Sequence, residues 1–411
     1  MLITFFLAGF FLHGNGVSHV TVIGPIHSAR SLGSHAISFA NCLRNNLSVS
    51  IITSSSSDFR DVPEYIRSMT LAPQKIFTIE SPVVIYVDSL IINFFNDYAR
   101  LNFPGLRIAF AWADYDMLLK EKVKKLNEHF DLILVGDKCL IEIFKKSGVK
   151  LPIYVLPLSL DLQPFLSISG RANCRSLKSN EPFVFGCSAG FEKRKNLDLL
   201  LQAFAQEFGN DQKVRLKIHG RWGNSSSLKN YIKRFKLTNV DITEGAVSRA
   251  ECVKFFASLD CYVLVSKAEG FSITPREALA SGIPCILSNN TAHKTICETG
   301  FVYAVSCKKS KFSDVQFDCE VCDVQKALRN VYTNYNEHYM RAQKGREWVK
   351  QYLSENLEKK YLSVIQPKKI ILGDRNILTD AELVTNSLSL FEKYKILLAK
   401  QGDKLRSMDQ C

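Results

Sequence analysis

The stretch that decides the fold is VLVSKAEGFSITPREALASGIPCILSNN, which covers residues 263–290. The apolar run at 263–266 is typical of a buried strand in a parallel sheet. Residues 267–273 predict a loop, in which Gly270 can take backbone conformations that other residues avoid. A short helix is predicted to follow and to end at Ser281 and Gly282, before a second buried strand at 283–287. This order of elements is typical of a doubly wound α/β sheet.

The start of that helix has a purely structural interpretation. Thr274 can be its N-cap, with Pro275 at the first helical position and Glu277 completing a capping box. In that case the motif describes a helix start and nothing more, since a strand, a loop with one glycine and a helix occur in any doubly wound sheet.

The other interpretation of the same stretch is a ligand site. Two carboxylates, Glu269 and Glu277, frame the loop. Between them the backbone N–H groups of Gly270, Phe271 and Ser272 approach a helix N-terminus, a place that attracts phosphate. Carboxylates beside a phosphate site suit neutral hydroxyl donors such as a ribose and a hexose. The pattern therefore predicts that a nucleotide-sugar binds here.

Residues 269–284, EGFSITPREALASGIP, resemble the E-x7-E signature of the group 1 (family 4) retaining glycosyltransferases, which have the GT-B fold. The match covers both glutamates, the Gly-Phe and Glu-Ala pairs and the Gly-x-Pro exit. Residues 181–365 resemble the family throughout, and residues 20–165 resemble it more weakly. The resemblance implies that Glu269 lies beside the donor sugar and that Glu277 binds the ribose hydroxyls. Gly270, Phe271 and Ser272 would offer backbone donors to the phosphate or the hexose.

Strand and helix patterns alternate along both halves of the chain and predict two Rossmann-like domains facing a cleft. We expect an N-terminal acceptor domain at 1–165, a linker at 166–182 and a C-terminal nucleotide-sugar domain at 183–350. Residues 351–411 are predicted as a crossover helix and a helical tail, and the resemblance implies that the last family helix returns to the N-terminal domain. No G-x-G-x-x-G follows the first strand, which disfavours a nicotinamide dehydrogenase.

A lysine and an arginine are expected to hold the diphosphate. Lys195 matches the lysine of the family's G-R-x4-K-G segment, whereas Gly190 stands where the family has its arginine. Arg194 or Lys193 could supply the missing charge from a shifted loop. The alternative is a solvated basic turn before a helix. Because cationic side chains can stabilise the departing diphosphate, the resemblance requires no metal and no cofactor besides the donor.

Two glycines and several polar residues complete the predicted site. Gly220 resembles the glycine of the family's I-x-G turn near the nucleotide, and Gly33 would lie in the first loop facing the cleft; a turn glycine is the other interpretation of Gly33. Asp114 follows a middle strand and is the candidate catalytic group of the N-terminal domain. The remaining polar candidates are His27 and His35, near the first loop, and His219, which we interpret as structural.

Composition sets the broader limits. The 411 residues are 46% hydrophobic and 23% charged, as in ordinary globular domains, and carry a net charge of +13. The excess favours anionic partners, among which an anionic membrane surface fits better than nucleic acid because no nucleic-acid motif is found. The twelve cysteines form no framework, and Cys319 and Cys322 are a single pair without a second one at zinc spacing. We therefore expect a reduced compartment, the cytoplasm or the inner face of the membrane.

The apolar run at residues 1–12, MLITFFLAGFFL, is too short to span a bilayer as a helix. It lacks the basic flank of a signal peptide. A signal peptide, a strand, a shallow membrane insertion and a mis-set start codon all remain open for this segment. Residues 366–411 contain one more helical pattern without an assigned purpose.

The predicted function is retaining transfer of a sugar from a nucleoside diphosphate to a glycan, lipid-linked or protein acceptor. The alternative is a catalytically impaired GT-B protein that binds a nucleotide or a partner. The unmatched arginine at Gly190 supports that alternative. A third interpretation is another GT-B chemistry, sugar epimerisation or phosphorolysis. It requires no acceptor, or depends on free phosphate.

Overall fold

The first sheet is parallel and has seven strands among the residues that the structure describes. The computed structural model describes residues 17–26, 33–53, 59, 62–71, 79, 81–87, 105–168, 181–313 and 315–365. The strand order in this sheet is β3-β2-β1-β4-β5-β6-β7. In chain order the strands are β1 (His19–Ile23), β2 (Ser48–Ile52), β3 (Thr70–Leu71), β4 (Val83–Val87), β5 (Leu106–Phe110), β6 (Leu132–Val135) and β7 (Ile153–Val155).

The second sheet is also parallel, with six strands in the order β10-β9-β8-β11-β12-β13. The central strands of both sheets are apolar runs buried on both faces, as the continuous hydrophobic strands predict, whereas the outer strands β3, β7 and β10 are partly exposed. An antiparallel hairpin of two further strands follows this sheet. The strands are β8 (Phe183–Phe191), β9 (Val214–Gly223), β10 (Val240–Glu244), β11 (Cys261–Leu264), β12 (Cys285–Ser288), β13 (Tyr303–Val305), β14 (Cys307–Lys309) and β15 (Phe317–Cys319).

Helices connect the strands and cover the sheets. Those of the N-terminal half are α1 (Gly33–Leu43), α2 (Glu64–Met69), α3 (Lys120–His129), α4 (Cys139–Lys146) and α5 (Gln163–Leu166). Those of the C-terminal half are α6 (Leu197–Phe208), α7 (Ser226–Phe235), α8 (Arg249–Ala257), α9 (Ile273–Ala280), α10 (Thr291–Cys297), α11 (Val321–Thr333), α12 (Tyr335–Trp348) and α13 (Ser354–Ile365). Single 3₁₀ turns lie at Lys193–Lys195 and Val349–Tyr352. None of the helices in the described residues is long and apolar enough to cross a membrane.

The last described helix, α13, returns to the N-terminal domain and packs on α1. Its Tyr361 is buried, and its hydroxyl group donates to the carbonyl of Pro157 at 2.9 Å and lies 2.8 Å from Ser38 Oγ. The Tyr361 ring also contacts Phe39, with ring centroids 5.0 Å apart. The predicted architecture of two parallel-sheet α/β domains with a crossover helix is therefore confirmed.

Two local expectations need adjustment. Leu166, predicted as the first residue of the linker, is the last residue of the short helix α5, whose Phe165 is buried. Residues 317–319 form strand β15, which pairs with β14. Cys319 faces Cys307 across this hairpin, with sulfurs 2.8 Å apart, and not Cys322. The apolar segment at 1–12 and the tail at 366–411 lie outside the described residues.

Candidate functional site

The loop before α9 ends in a backbone conformation that exposes peptide donors. Ser272 is the N-cap of α9 and has a φ of 65°, in the left-handed region. The N–H groups of Gly270, Phe271 and Ser272 have no hydrogen-bond partner among the described residues. Three unpaired donors at the N-terminus of a helix form an anion site.

The predicted capping box at this helix is wrong. Thr274 lies inside the helix, and its hydroxyl group is bonded to Tyr262 Oη at 2.8 Å. Glu277 does not reach back to the N-cap, because its Oε1 accepts from Arg249 at 2.6 Å. Since no side-chain cap bond is made here, the helix N-terminus is left open to a ligand.

Glu269 lies at the centre of the site, 4% exposed, and is paired with two cations. Lys195 Nζ lies 2.6 Å from Glu269 Oε1, and Arg194 Nη1 lies 3.4 Å from Oε2. Burial alone would raise the pKa of Glu269, but Lys195 and Arg194 outweigh it and hold this pKa well below its ordinary value. Glu269 is therefore a permanent anion beside two cations.

Arg194 and Lys193, the two residues expected to supply the charge missing at Gly190, lie in different surroundings. The space next to Gly190 is filled by the indole of Trp222, whose Nε1 would lie 2.4 Å from a Cβ at that position. Arg194 reaches the site instead and donates to the carbonyl of Ala268 at 2.8 Å. The Lys193 side chain is exposed and makes no salt bridge with the described residues. Arg194 thus brings the second cation to Glu269 from four positions further along the chain.

Asp114 reaches the same cluster from the N-terminal domain. It follows β5, its side chain is about half exposed, and its Oδ1 lies 3.6 Å from Arg194 Nη2. Ion pairs from Asp114 to Arg194 and from Arg194 to Glu269 therefore link the N-terminal and C-terminal domains. This is the position predicted for the catalytic group of the N-terminal domain.

Glu277 is almost fully buried and is held by two arginines. Arg249 approaches its Oε1 at 2.6 Å, and Arg221 lies 3.9 Å from its Oε2, which has no hydrogen-bond partner. Arg249 also donates to the carbonyl of Asp161 and stacks on Phe165, 4.5 Å from the ring centroid. These arginines were not predicted. One carboxylate oxygen of Glu277 is thus buried without a hydrogen-bond partner among the described residues.

A fully buried arginine supports the loop from behind. Arg276 donates to the carbonyls of Phe271 and Ser272, and its guanidinium lies 3.9 Å from the Phe271 ring centroid. It also lies 3.5 Å from the buried carboxylate of Asp137, which follows β6 in the other domain. Arg276 therefore contacts both the loop before α9 and the N-terminal domain, so the conformation of this loop depends on how the two domains pack.

The N-terminal domain also constrains the loop by contact. A Cβ at Gly270 would lie 3.1 Å from the Ala113 carbonyl oxygen, and a Cβ at Gly136 would lie 3.3 Å from the Phe271 ring. Phe271 is accordingly 8% exposed. Its side chain packs between the two domains, and its backbone N–H has no hydrogen-bond partner among the described residues.

The other predicted residues have mixed positions. Gly220 leaves room for the ring of Phe191, which would overlap a Cβ there, so packing explains this glycine. Gly33 begins α1, and its contact with the donor stays a prediction. His35 is buried against Trp112 and does not line a cleft. His219 contacts Thr243 Oγ1 at 2.9 Å, whereas His27 lies outside the described residues.

A buried hydrogen-bond chain fixes the Ser272 side chain. Ser288 Oγ donates to the Ser266 carbonyl at 2.7 Å, so it accepts from His293 Nδ1 at 3.0 Å. His293 Nε2 then accepts from the Ser272 hydroxyl group at 2.7 Å. Burial lowers the pKa of His293 to about 4, which keeps this ring neutral.

The two buried histidines predict a pH dependence of stability. Burial lowers the pKa of His35 from 6.5 to about 3 and that of His293 from 6.5 to about 4. Below pH 6.5 the unfolded chain binds protons that the folded chain does not, so the free energy of unfolding falls as the pH drops. The slope is at most about 1.4 kcal/mol per pH unit for each histidine.

Urea unfolding at about pH 7 and about pH 5 measures this loss. The variant His293→Gln should lose less stability than the wild type over the same interval. Equal stability of the wild type at both pH values would contradict the neutral, buried state of these rings.

A central part of the chain matches a known family. Residues 173–313 match the family described as Glycosyl transferases group 1. The chain is 23% identical over 180 residues to an alpha-monoglucosyldiacylglycerol synthase of Streptococcus pneumoniae, covering 42% of this chain and 41% of that protein. It is 31% identical over 114 residues to the Escherichia coli O-antigen biosynthesis glycosyltransferase WclY, covering 27% and 30%. The match thus spans less than half the length of these relatives.

Solved structures extend the fold comparison over most of the chain. Anabaena Alr3699/HepE in complex with UDP and glucose is similar with a TM-score of 0.68 and 12% identity, covering 85% of this chain and all of that one. Sucrose-phosphate synthase from Thermosynechococcus elongatus is similar with a TM-score of 0.65 and 14% identity, covering 86% and 99%. The resemblance to group 1 glycosyltransferases with the GT-B fold is confirmed.

Proposed function

We propose that this GT-B chain transfers a sugar from a nucleoside diphosphate, with UDP as the nucleotide, to a glycan, lipid-linked or protein acceptor. The observation that carries the proposal is the meeting of Lys195 and Arg194 with buried Glu269, beside three unpaired peptide N–H groups. UDP is suggested by the similar structures, among them one solved with UDP and glucose.

The cations would stabilise the leaving group. As the bond between sugar and phosphate breaks, negative charge grows on the diphosphate, and fixed positive groups lower the barrier most. Lys195 and Arg194 are held in place by Glu269 before any ligand arrives. Because these side chains supply the charge, we expect turnover without an added metal ion.

The two glutamates would hold the two sugars of the donor. Glu269 is anionic and buried, so it suits the hydroxyl groups of the transferred sugar and the positive charge that develops at its anomeric carbon. Glu277 would accept from the ribose hydroxyls through its unpartnered Oε2. Arg249 keeps the other oxygen engaged.

The acceptor would approach from the N-terminal domain. Asp114 is the described carboxylate at the end of β5 that faces the cluster, 3.6 Å from Arg194. In this proposal Asp114 would receive the proton of the attacking hydroxyl group. Retention of configuration, as the family resemblance implies, requires attack on the face from which the diphosphate leaves.

A turnover assay tests the proposal. UDP release from UDP-sugars is measured with and without glycan and lipid acceptors, for the wild type and Glu269→Gln. We expect acceptor-dependent UDP release by the wild type and its loss in the variant. Product without an acceptor would indicate epimerisation, and a need for free phosphate would indicate phosphorolysis.

The second candidate is a nucleotide-binding protein without transferase activity. Two observations favour it: Trp222 fills the space beside Gly190, and Arg249 already occupies one oxygen of Glu277. UDP binding by calorimetry with no turnover on any acceptor would identify this function.

The proposed location is the cytoplasm, where nucleotide-sugars are available, with peripheral contact at the inner face of the membrane.

A further inference from the structure

Four large apolar side chains are exposed on one face of the molecule. We define the lysine face as residues 115–125, 145–150 and 308–312. It carries Tyr115, Met117, Leu119 and Phe312, which are four of the eight exposed large apolar side chains among the described residues. Leu119 is 72% exposed and Phe312 is 96% exposed. Exposed apolar residues that cluster in this way mark an interaction surface.

Hydrogen bonds and ion pairs join the three segments of the lysine face. The backbone N–H of Asp116 donates to the Val315 carbonyl at 2.9 Å, which ties residues 115–119 to the hairpin of β14 and β15. The Asp116 carboxylate pairs with Lys146 at 2.5 Å and with Lys309. Leu118 N–H donates to Ser147 Oγ at 2.9 Å. The face is therefore one continuous surface built by both domains.

The charge of the lysine face is strongly positive. Its three segments contain ten lysines against two acids, Asp116 and Glu121. Asp116 is neutralised by its two lysine partners: burial alone would raise its pKa, but Lys146 and Lys309 lower it. Eight of the lysines are exposed: Lys120, Lys124, Lys145, Lys146, Lys150, Lys308, Lys309 and Lys311.

This composition identifies the kind of partner. Apolar side chains ringed by lysines suit an anionic lipid surface, since the apolar groups enter the headgroup region while the ammonium groups contact phosphates. A protein partner fits less well because lysine is depleted in protein–protein interfaces. The phosphates of a nucleic acid would pair with the lysines but would not account for the exposed apolar side chains of Met117 and Leu119.

We infer that the lysine face docks the protein on an anionic lipid bilayer. The face begins one residue after Asp114, so docking would bring the acceptor side of the cleft to the membrane surface. That consequence, a lipid-borne acceptor, rests on the proposed function, whereas the docking itself rests on the exposed residues.

Vesicle sedimentation of the full chain tests the inference. We expect binding to vesicles of phosphatidylcholine with phosphatidylglycerol, little binding to pure phosphatidylcholine, and release as the salt rises from about 0.05 M to about 0.5 M. The double variants Leu119→Ser with Phe312→Ser, and Lys308→Gln with Lys311→Gln, should each weaken binding about tenfold or more. Met340→Ser removes an exposed apolar side chain elsewhere and should bind like the wild type.

Several outcomes would overturn the inference. They are equal binding to neutral and anionic vesicles, no binding to either, or unchanged binding by both double variants. If the protein bound a single-stranded homopolymer RNA more tightly than the anionic vesicles, the face would be assigned to nucleic acid. If the main effect of the variants were a loss of self-association in light scattering, the face would be assigned to a second copy of the chain. UDP binding is measured in parallel: vesicle binding without UDP binding contradicts only the proposed function.

Discussion

Arg276→Ala is expected to destabilise the C-terminal domain by about 3–5 kcal/mol, the cost of removing one partner of a buried ion pair. Arg276 is fully buried, so the substitution leaves the Asp137 carboxylate without its guanidinium and leaves two loop carbonyls without donors. It also removes the stacking on Phe271 and Tyr352, at 3.9 Å and 4.7 Å from the ring centroids. Urea unfolding followed by tryptophan fluorescence measures the loss, since Trp348 lies 6.0 Å from this guanidinium.

The matched control is Arg341→Ala. Arg341 is an exposed helical arginine paired with Glu337 one turn away, and such pairs contribute about 0.3–0.5 kcal/mol. Arg276→Lys should not restore stability, because a lysine ammonium group can neither stack on the aromatic rings nor donate to several acceptors in one plane as a guanidinium does. A loss below about 1 kcal/mol for Arg276→Ala would show that the interdomain pair is not a main support of the loop.

Lys195→Ala is expected to lower kcat by about 10²–10³-fold, the effect of removing one preorganised charge from a developing anion. Lys195 is 2.6 Å from Glu269 and aims its ammonium group at the centre of the site. Arg194 keeps Glu269 paired in the variant, so the chain should remain folded. Steady-state kinetics with a UDP-sugar measure kcat and KM separately, and the larger change should be in kcat.

Lys193→Ala provides the control for Lys195→Ala. Lys193 belongs to the same 3₁₀ turn but is exposed, so its removal lowers the net charge equally without touching Glu269. We expect its kcat to stay within about twofold of the wild type. Equal losses in both variants would mean that overall charge matters and that the position of Lys195 does not.

Apolar periodicity predicted most of the framework. The strands predicted at 263–266 and 283–287 overlap β11 and β12, and α8 begins with a capping box at Ser248. These features depend on neighbours in the chain, so a single sequence contains the information. The crossover helix was predicted only through the family resemblance, because its contacts with α1 join residues 323 positions apart.

Contacts between distant residues explain what the sequence missed. The capping box predicted at Thr274 does not form, because the Thr274 hydroxyl group bonds to the Tyr262 hydroxyl group and the Glu277 carboxylate pairs with Arg249. The pair of Arg276 and Asp137 joins two domains and has no local signature. One signal was available: Arg276 is a charged residue inside a short, otherwise mostly apolar helix, and such a residue needs a buried partner.

The sequence indicated which charged residues lie in the site, but it did not indicate how neighbouring side chains hold them. Glu269, Lys195, Arg194 and Asp114 lie together in the structure, whereas Lys193 lies apart from them, and the roles of all these residues stay predictions. Trp222 explains why position 190 holds a glycine, but this filling could not be inferred without the position of β9 beside β8.

Calorimetric titration of UDP into the wild type and Glu277→Gln tests the central claim most directly, that a nucleotide binds between the loop and the buried carboxylates. The account predicts binding by the wild type and by Lys193→Ala, and binding about tenfold weaker by Glu277→Gln, because a charged acceptor is replaced by a neutral one. Failure of the wild type to bind UDP, GDP or ADP, or equal binding by Glu277→Gln, would contradict it.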